Sequence, residues 1–510
     1  MSLERSSAGE AGINEEALLS LIDKLESNEC HSVMIVRHGK VAVEGWWKPY
    51  RKDLVHVLYS LTKSFTSTAI GFAVQEKKLT VDDYVLSFFP DVLPSTPCEK
   101  MTKLRIKHLL SMNTGQLKSP EFGWDPKGLT DKERKLDEDH LRNCLSSYVE
   151  QEPGSLFVYN NAASFLLSAI ITKVSGMGVK DYLQPRLFEP LGIKDVYFES
   201  DSAGYDAGAF GMHLTTENIA KFGLFLLNRG KWGDKQLLFP EWIDEATSKH
   251  SDNSKADGST NWKVGYGYQF WMCDRYGIYR ADGAFGQLCI VMPKQEAVIV
   301  TTSGKSGEIL IPIMEAVDEL FPDSGSAAKN PDLSSKLSGM SLQMPHNKKN
   351  LGSAPTTSKL HSRLSELTLQ LPKGDRLPRN AAAVSGKVYN MGSNALCYSN
   401  VSLTFGDKIV FHVEQNGHKV SALVGYNEWL ETQSDEDPNG GGALYGNIAC
   451  AGAFDGKQYV IHIVYNKTPC TDVFKVLMSE GSVVLDYQRS PTFGGDEYGK
   501  YHIVGSTLHA

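Results

Sequence analysis

The chain has 510 residues, of which 41% are hydrophobic and 22% are charged, and its net charge at pH 7 is -8. This length exceeds the size at which one hydrophobic core usually keeps growing, so we expect at least two domains. The isoelectric point near 6.0 gives no basic footprint for nucleic acid or an anionic membrane surface, which excludes nucleic acid as an expected partner.

The N-terminal segment MSLERSSAGEAGINEEALLSLIDKLE has acidic side chains and no apolar core of the kind that a signal peptide needs. No apolar run elsewhere is long enough to span a bilayer. The eight cysteines are dispersed, without the CxxC pairs of zinc or redox sites, which predicts free thiols. We therefore expect a cytoplasmic protein with no membrane span, unless a leader has been removed ahead of the initial MSL.

The first part of the chain alternates helical and strand patterns. Leu18, Ile22 and Leu25 lie at helical spacing, and SVMIVRHGKVAVEGWW contains two β-rich runs around a turn at 38–40. After a helix-rich middle, YGYQFWMCDRYGIYR, GQLCIVMP and EAVIVTTS predict three strands before the apolar-striped helix EILIPIMEAVDELF. This order predicts an α/β (α+β) domain: an antiparallel sheet whose two ends in sequence pack together, flanked by helices and a helical subdomain.

The composition changes after the first 322 residues. Residues 323–370 are rich in Ser, Gly, Pro, Asn and Lys and lack periodicity, which predicts a flexible linker between a domain at 1–322 and a domain at 371–510. The last domain repeats short β runs broken by Gly-Asp, Asn-Gly, Asp-Gly and Glu-Gly turns, which predicts an all-β meander or small barrel. We expect it to serve in support, in substrate capping or in self-association as a homo-oligomer.

A serine and a lysine begin the segment SLTKSFTSTAIGFAVQ. The stripe formed by Phe65, Ala69 and Phe72 predicts a helix buried on that face, with Ser60 near its N-terminus. Positions i and i+3 share a helix face, so the Lys63 amine would adjoin the Ser60 hydroxyl. A serine needs a base to become a nucleophile, and a lysine can be that base when desolvation lowers its pKa. The alternative is a capping serine followed by a lysine that reaches solvent.

A second polar pair precedes another apolar helix, in QEPGSLFVYNNAASFLLSAIITKVSG. The dipeptide Asn160-Asn161 marks the helix start, which places Tyr159 and Asn161 together on a loop. A tyrosine near a serine and a lysine can relay a proton, and an amide can hold a lysine amine or a substrate carbonyl. The alternatives are a core tyrosine with a satisfied hydroxyl and an asparagine that caps the helix.

Several segments recur in the order found in a known superfamily. They are SLTK with its apolar helix and LTVDDYVLSFFPD, then IKHLLSMNTG, PGSLFVYNNAASFLLSAII, GMHLTTENIAKFGLFLLNRGKW, GYGYQFW and DGAFGQLCIVMP. From about Leu18 to Phe321 the chain thereby resembles the serine β-lactamase-like and penicillin-binding-protein-like hydrolases. It is most similar to the branch of class C β-lactamases, carboxylesterases and 6-aminohexanoate-dimer hydrolases. The resemblance implies the β-lactamase/transpeptidase-like fold.

The resemblance also implies roles for individual residues. Ser60 matches the serine that is acylated during turnover, and Lys63 matches the lysine beside it. Tyr159 would share proton transfer with Lys63, and Asn161 would complete the same block. Backbone N–H groups of Ser60 and Ala284 would form the oxyanion hole.

The third sequence block departs from the superfamily's pattern. The strand at the edge of the site usually reads Lys-Thr-Gly or His-x-Gly, whereas the matching residues here are Ala281, Asp282 and Gly283. Ala281 cannot bind a substrate carboxylate, and Arg280 would point to the opposite strand face from Ala281. The departure argues against recognition of penicillin or peptidoglycan. Asp282 would either favour an amine-bearing or neutral substrate or cap a turn before Gly283.

The leading hypothesis is a serine hydrolase that forms an acyl-enzyme on a small ester or a linear amide or peptide. The first alternative is a β-lactamase or a penicillin-binding D-Ala-D-Ala peptidase. The second is an inactive binding protein built on a hydrolase fold. No cofactor is expected. The 14 histidines show no HExxH or paired spacing, so no metal is expected either.

Overall fold

The computed structural model describes residues 2–92, 97–120, 140–201, 203–256, 260–305, 309–322, 354–415, 417–433, 447–493 and 499–507. Within these ranges the chain forms a domain of sheet and helices, followed by a β domain. The fold class predicted from the sequence is confirmed.

The first domain is built around an antiparallel sheet. In chain order its strands are β1 (Cys30–Arg37), β2 (Lys40–Trp46), β3 (His56–Val57), β4 (Tyr197–Phe198), β5 (Met212–Leu214), β6 (Lys231–Trp232), β7 (Lys235–Gln236), β8 (Trp271–Met272), β9 (Tyr279–Gly283), β10 (Gln287–Met292) and β11 (Ala297–Ser303). The main sheet has the order β2-β1-β11-β10-β9-β8, so strands from the two ends of the domain are neighbours. The first predicted strand run, YGYQFWMCDRYGIYR, is split between β8 and β9.

The hairpin of β1 and β2 shows how local sequence directs the chain. His38 and Gly39 have φ angles of 50° and 80°, the left-handed region that both central residues of a type I′ turn require. Glycine adopts that region without strain. β1 then pairs with β11 from Ser32 to Arg37, and every residue of β1 is buried because helices cover both faces of the sheet.

The helices form two layers. In chain order they are α1 (Glu15–Ser27), α2 (Thr62–Gln75), α3 (Ile106–Leu110), α4 (His140–Ser146), α5 (Asn161–Ser175), α6 (Val179–Leu183), α7 (Glu189–Leu191), α8 (Thr216–Leu227), α9 (Pro240–Ala246) and α10 (Leu310–Leu320). α1 and α10 share one core with Val33 and Ile35 of β1. α8 shares the other core with Met34 and Val36. The alternation of side chains along β1 thus separates the two layers.

Helix α2 lies inside the helical part of the domain. The sequence predicts burial on one face, but residues 62 to 73 are all buried. Most of its hydroxyl groups have partners: Ser64 donates to the carbonyl oxygen of Gln269 and Thr66 to that of Gly208, each at 2.7 Å. The buried hydroxyl of Ser67 has no partner among the described residues. A hydroxyl with a partner is buried at little cost. The apolar stripe in the sequence therefore predicts burial of one face only, whereas the polar side chains of the other faces are buried as well.

The segment between the domains differs in part from the predicted linker at 323–370. Residues 323–353 lie outside the described residues, but the next stretch forms helix α11 (Ala354–Ser365). Leu360 and Leu367 are buried in the core that contains α1 and α10. The polar composition of the segment obscures these two spaced leucines, which dock this part of the chain on the first domain.

The C-terminal domain is a nearly closed barrel. A short helix α12 (Ala381–Val384) precedes the strands β12 (Val388–Met391), β13 (Tyr398–Thr404), β14 (Ile409–Gln415), β15 (His418–Val424), β16 (Leu430–Gln433), β17 (Asn447–Phe454), β18 (Tyr459–Tyr465), β19 (Thr471–Met478), β20 (Ser482–Ser490) and β21 (Lys500–Thr507). They form one antiparallel sheet in which β12 pairs with β21. Gly425, which follows β15 at one end of the sheet, forms a bridge to Ala451 of β17, next to the other end. The predicted β-meander or barrel is confirmed.

The barrel contacts the first domain through the turn between β18 and β19. The amide of Val57 donates to the carbonyl oxygen of Lys467 at 3.0 Å. The hydroxyl of Tyr50 donates to the carbonyl oxygen of Thr468 at 2.8 Å. Val57 is the last residue of β3. The barrel therefore bonds to the chain just before Ser60.

Within the described residues, no single helix has the length and apolar composition needed to cross a membrane. α5 and the segment Val179–Leu191 meet that test only as a pair bent by 65°.

Close packing of α8 on the sheet depends on a glycine. A Cβ atom at Gly223 would lie 2.5 Å from Cγ1 of Val298 and 2.7 Å from Sγ of Cys289. We therefore expect Gly223→Ala to lower the free energy of unfolding of this domain by about 1–3 kcal/mol through overpacking. Urea denaturation followed by tryptophan fluorescence measures this change.

Gly9→Ala is the matched control, because the nearest atom to its added Cβ is Oε1 of Glu15 at 3.5 Å. Its effect should stay within about 0.5 kcal/mol. Equal free energies of unfolding for wild type and Gly223→Ala would contradict this prediction. They would show that α8 can move away from the sheet far enough to fit the added methyl group without loss of stability.

Candidate active site

Ser60 lies in a 3-10 turn (Tyr59–Leu61) that leads directly into α2. The preceding Tyr59 has a φ angle of 46°, a left-handed conformation that is strained for a residue with a side chain. Ser60 is half-buried and faces a cavity of about 330 Å³. The turn thus presents a serine hydroxyl at the wall of an enclosed space.

The seven residues singled out in the sequence come together at this cavity. Six of them line it, namely Ser60, Tyr159, Asn161, Asp282, Gly283 and Ala284, and Lys63 lies behind the serine.

Lys63 is buried beneath Ser60, with 1% of its surface exposed. Its Nζ atom lies 3.0 Å from Oγ of Ser60, 2.8 Å from Oδ1 of Asn161 and 2.8 Å from the carbonyl oxygen of Ala209. Burial lowers the pKa of this amine well below its ordinary value of 10.5, because a charged ammonium loses its hydration there. The alternative in which Lys63 reaches solvent does not describe this side chain.

The three neighbours of Nζ differ in what they can do. The oxygens of Asn161 and Ala209 can only accept hydrogen bonds, whereas the Ser60 hydroxyl can also donate one. A neutral amine has two N–H groups and one lone pair. Its N–H groups fit the two acceptors, which leaves the lone pair for the hydroxyl proton of Ser60. This arrangement can deprotonate the serine.

Tyr159 contacts the same serine from another side. Ser60 lies close enough to the Tyr159 hydroxyl to lower the pKa of the phenol, against the larger effect of burial, and Nζ of Lys63 lies 4.8 Å from the centroid of its ring. Burial raises the pKa of Tyr159 above its ordinary value, so the phenol keeps its proton at neutral pH. The environment therefore pushes the pKa values of Lys63 and Tyr159 in opposite directions, which favours the amine as the base and the phenol as a proton donor or relay.

The helix cap frees Asn161 for the lysine. Oδ1 of Asn160, not of Asn161, accepts the amide N–H of Ala163 at 3.2 Å and caps α5. Asn161 is then the first residue of the helix, and its side chain holds Lys63. The residue that caps the helix is therefore Asn160 and not Asn161.

Strand β9 comes very close to the serine turn at Gly283. A Cβ atom there would collide with the carbonyl oxygen of Leu58, so only glycine permits this approach. Ala284 follows directly and lines the cavity beside Ser60. The close approach brings the backbone after β9 next to the serine turn.

Asp282 forms an ion pair with Arg280 of the same strand. Arg280 lies on the same face of β9 as Asp282, and its Nε donates to Oδ2 of Asp282 at 2.7 Å. Arg280 is completely buried, with its guanidinium 5.0 Å from the ring centroid of Trp262 and 5.8 Å from that of Trp271. Burial raises the pKa of Asp282, while Arg280 acts in the opposite direction. The carboxylate therefore reaches the cavity as half of an ion pair, not as an unpaired charge or a turn cap.

Aromatic residues line the cavity in a way that the sequence analysis missed. Trp271 stacks on Tyr159 with ring centroids 5.6 Å apart, and Tyr266 meets Trp271 edge-on at 4.9 Å. Trp262 and Phe493 also line the cavity. The motif GYGYQFW contains Tyr266 and Trp271 and could have revealed them, whereas no local pattern singles out the other two.

Among the described residues, no group of three or more His, Cys, Asp and Glu side chains has the arrangement of a metal site. The polar groups that converge on Ser60 are an amine, a phenol and an amide, which can move a proton and do not form a typical metal ligand set.

Curated relatives carry the names of different hydrolases. A protein of Escherichia coli (strain K12) assigned as a D-alanyl-D-alanine carboxypeptidase is 22% identical over 378 residues, which cover 59% of this chain and 86% of that protein. The 6-aminohexanoate-dimer hydrolase of Paenarthrobacter ureafaciens is 20% identical over 327 residues, which cover 59% of this chain and 82% of that enzyme. Esterase EstB of Burkholderia gladioli is 26% identical over 183 residues, which cover 33% of this chain and 46% of the esterase.

A solved structure from Bacillus anthracis, assigned as a 6-aminohexanoate-dimer hydrolase, has the same fold over 59% of this chain and 81% of its own, with a TM-score of 0.51 and 21% identity. The family model named Beta-lactamase matches residues 22–309. This match covers more than half of the chain and includes Ser60, Lys63, Tyr159 and the strand beside them, and the chain therefore belongs to the Beta-lactamase family.

Proposed function

We propose that this protein is a serine hydrolase that forms an acyl-enzyme at Ser60 on a small ester or a linear amide or peptide. The observation that carries the proposal is the buried amine of Lys63, which lies 3.0 Å from Oγ of Ser60 with its other two neighbours limited to accepting hydrogen bonds. Burial favours the neutral amine, which can act as a base, and an adjacent serine is the group that needs such a base.

The first step would be attack of Oγ of Ser60 on the carbonyl carbon of the substrate. The hydroxyl proton passes to the Lys63 amine while the O–C bond forms. Negative charge then develops on the carbonyl oxygen, where the backbone N–H groups of Ser60 and Ala284 would stabilise it. The bond from the carbonyl carbon to the departing alcohol or amine then breaks as the neutral Tyr159 phenol gives that group its proton, and the Lys63 ammonium returns its proton to Tyr159, which restores the neutral amine.

The second step would release the acyl group. Water attacks the ester carbonyl on Ser60, its proton is taken up by the neutral base, and the bond to Oγ breaks as the serine recovers its proton. The products are a carboxylic acid and the free enzyme, so all atoms are accounted for without a cofactor.

Two features of the cavity favour a substrate that has no carboxylate group to be bound at strand β9. Ala281 is buried and carries no cation, and Arg280 beside it is already paired with Asp282. Beside its polar groups, the lining includes the apolar side chains of Trp262, Trp271 and Leu288. Apolar and neutral acyl groups fit these walls better than a charged β-lactam does. The names of two relatives, an esterase and an amide hydrolase, agree with this class, whereas the relative assigned as a D-alanyl-D-alanine carboxypeptidase agrees with the first alternative.

Intact-protein mass spectrometry tests the nucleophile. Wild type should gain one adduct with a fluorophosphonate and little or none with a penicillin, whereas Ser60→Ala should gain neither. Ser155→Ala is the matched control, because that exposed serine only bonds the backbone of Glu152, and it should be labelled like wild type.

Each other outcome has a distinct meaning. A penicillin adduct that depends on Ser60 would replace the esterase proposal with the β-lactamase or D-Ala-D-Ala peptidase alternative. No adduct with either reagent would support the inactive binding protein. Labelling that persists in Ser60→Ala would assign the nucleophile to another residue.

The protonation state of Lys63 can be tested through stability. In the unfolded chain its pKa returns toward the ordinary value of 10.5, so between the lowered folded value and 10.5 unfolding takes up a proton. The stability of wild type relative to Lys63→Met should therefore rise with pH, by up to about 1.4 kcal/mol per pH unit, and level off above 10.5. Urea denaturation between pH 7 and pH 10 measures this difference.

Lys173→Met is the control, since that lysine is exposed on α5 and its amine lies in water in both states. A difference between wild type and Lys63→Met that stays constant from pH 7 to pH 10 would mean that Lys63 keeps its ordinary pKa and cannot act as the base.

A further inference from the structure

We propose that Phe493, which belongs to the C-terminal barrel, is a specificity-determining residue of the hydrolase site and contacts the apolar part of the substrate. The inference rests on the function proposed above and extends it to a residue outside the matched family region, which ends at residue 309. The barrel would thus contribute directly to substrate specificity.

The first observation is the position of the ring. Phe493 lines the same cavity as Ser60, Tyr159 and Ala284. Phe493 is nevertheless 62% exposed, so much of its surface is open to whatever enters the cavity. An apolar group of the substrate would cover this surface, which is favourable.

The second observation is what the ring packs against. Its centroid lies 5.6 Å from that of Tyr59, at an interplanar angle of 84°, and 4.7 Å from that of Phe285, at 50°. Tyr59 precedes Ser60 and Phe285 follows Ala284, so the barrel touches both segments that carry the proposed oxyanion hole. A substrate held at Ser60 would lie within reach of Phe493.

The third observation is that the barrel holds this segment firmly. Arg489, near the end of β20, donates to the two carboxylate oxygens of the buried Asp472 at 2.7 and 2.8 Å. Tyr465 and Tyr487 donate to the same carboxylate at 2.7 and 3.0 Å. These charge-assisted hydrogen bonds fix the strand end from which the chain continues to Phe493.

The same part of the barrel is anchored to the first domain. The turn between β18 and β19, which leads into Asp472, bonds Val57 and Tyr50 through the carbonyl oxygens of Lys467 and Thr468. The position of Phe493 relative to Ser60 is therefore set by two connected anchors. A residue that selects among substrates must be held in a fixed position, and these two anchors provide such support.

The test compares two esters in wild type and Phe493→Ala. We expect the ratio of kcat/KM for p-nitrophenyl hexanoate to that for p-nitrophenyl acetate to fall about five- to tenfold in Phe493→Ala, because the longer acyl chain loses its contact. Phe493→Leu should retain most of the ratio. Thermal unfolding should be nearly unchanged in both variants, since the ring is largely exposed.

Val504→Ala is the matched control, because this residue is 54% exposed on β21 and is not among the described residues that line the cavity. Its ester ratio should equal that of wild type. A ratio in Phe493→Ala that is unchanged, that rises, or that falls equally in Val504→Ala would overturn this inference while leaving the hydrolase intact. Absence of turnover and of fluorophosphonate labelling in wild type would overturn the proposed function and this inference together.

Discussion

The amine of Lys63 is the constraint on which the rest of the site depends. An amine enclosed by protein loses its hydration and needs hydrogen-bond partners in place of water. The structure supplies these partners with an amide on α5, a backbone carbonyl at Ala209 and the Ser60 hydroxyl. Each comes from a different part of the helical region. Helix α2 must therefore be enclosed on all sides before the amine can be held next to the serine.

A second constraint operates at the strand edge. Gly283 lets β9 approach the serine turn until backbone meets backbone, and strained residues stand on both sides, Tyr59 with a φ angle of 46° and Phe285 with one of 64°. Such strain persists only where the surrounding packing enforces it. The ring of Phe493 from the barrel packs beside both of these residues. Both domains thus contribute side chains to this end of the cavity.

The sequence predicted those features whose cause lies within a short stretch of chain. The β1–β2 hairpin follows from its turn residues, and the neighbouring positions of Ser60 and Lys63 follow from helical spacing. The ion pair of Arg280 with Asp282 was also open to local reasoning, since residues two apart share a strand face, but only the structure showed that Trp262 and Trp271 enclose it. The docking of α11 was hidden by its polar composition. The contribution of Phe493 had no sequence signal, because it depends on how two domains meet.

The bond between Tyr50 and Thr468 joins positions 418 residues apart, and this separation has a consequence for the order in which the protein matures. The segment before Ser60 leaves the ribosome early, but the barrel turn that secures it is synthesised near the end. A nascent chain holding every residue from Ser60 to Ala284 would still lack this clamp. Synthesis of the distal β strands therefore sets the moment at which the cavity acquires its final shape, and translation stalled within them would leave the serine turn unsupported.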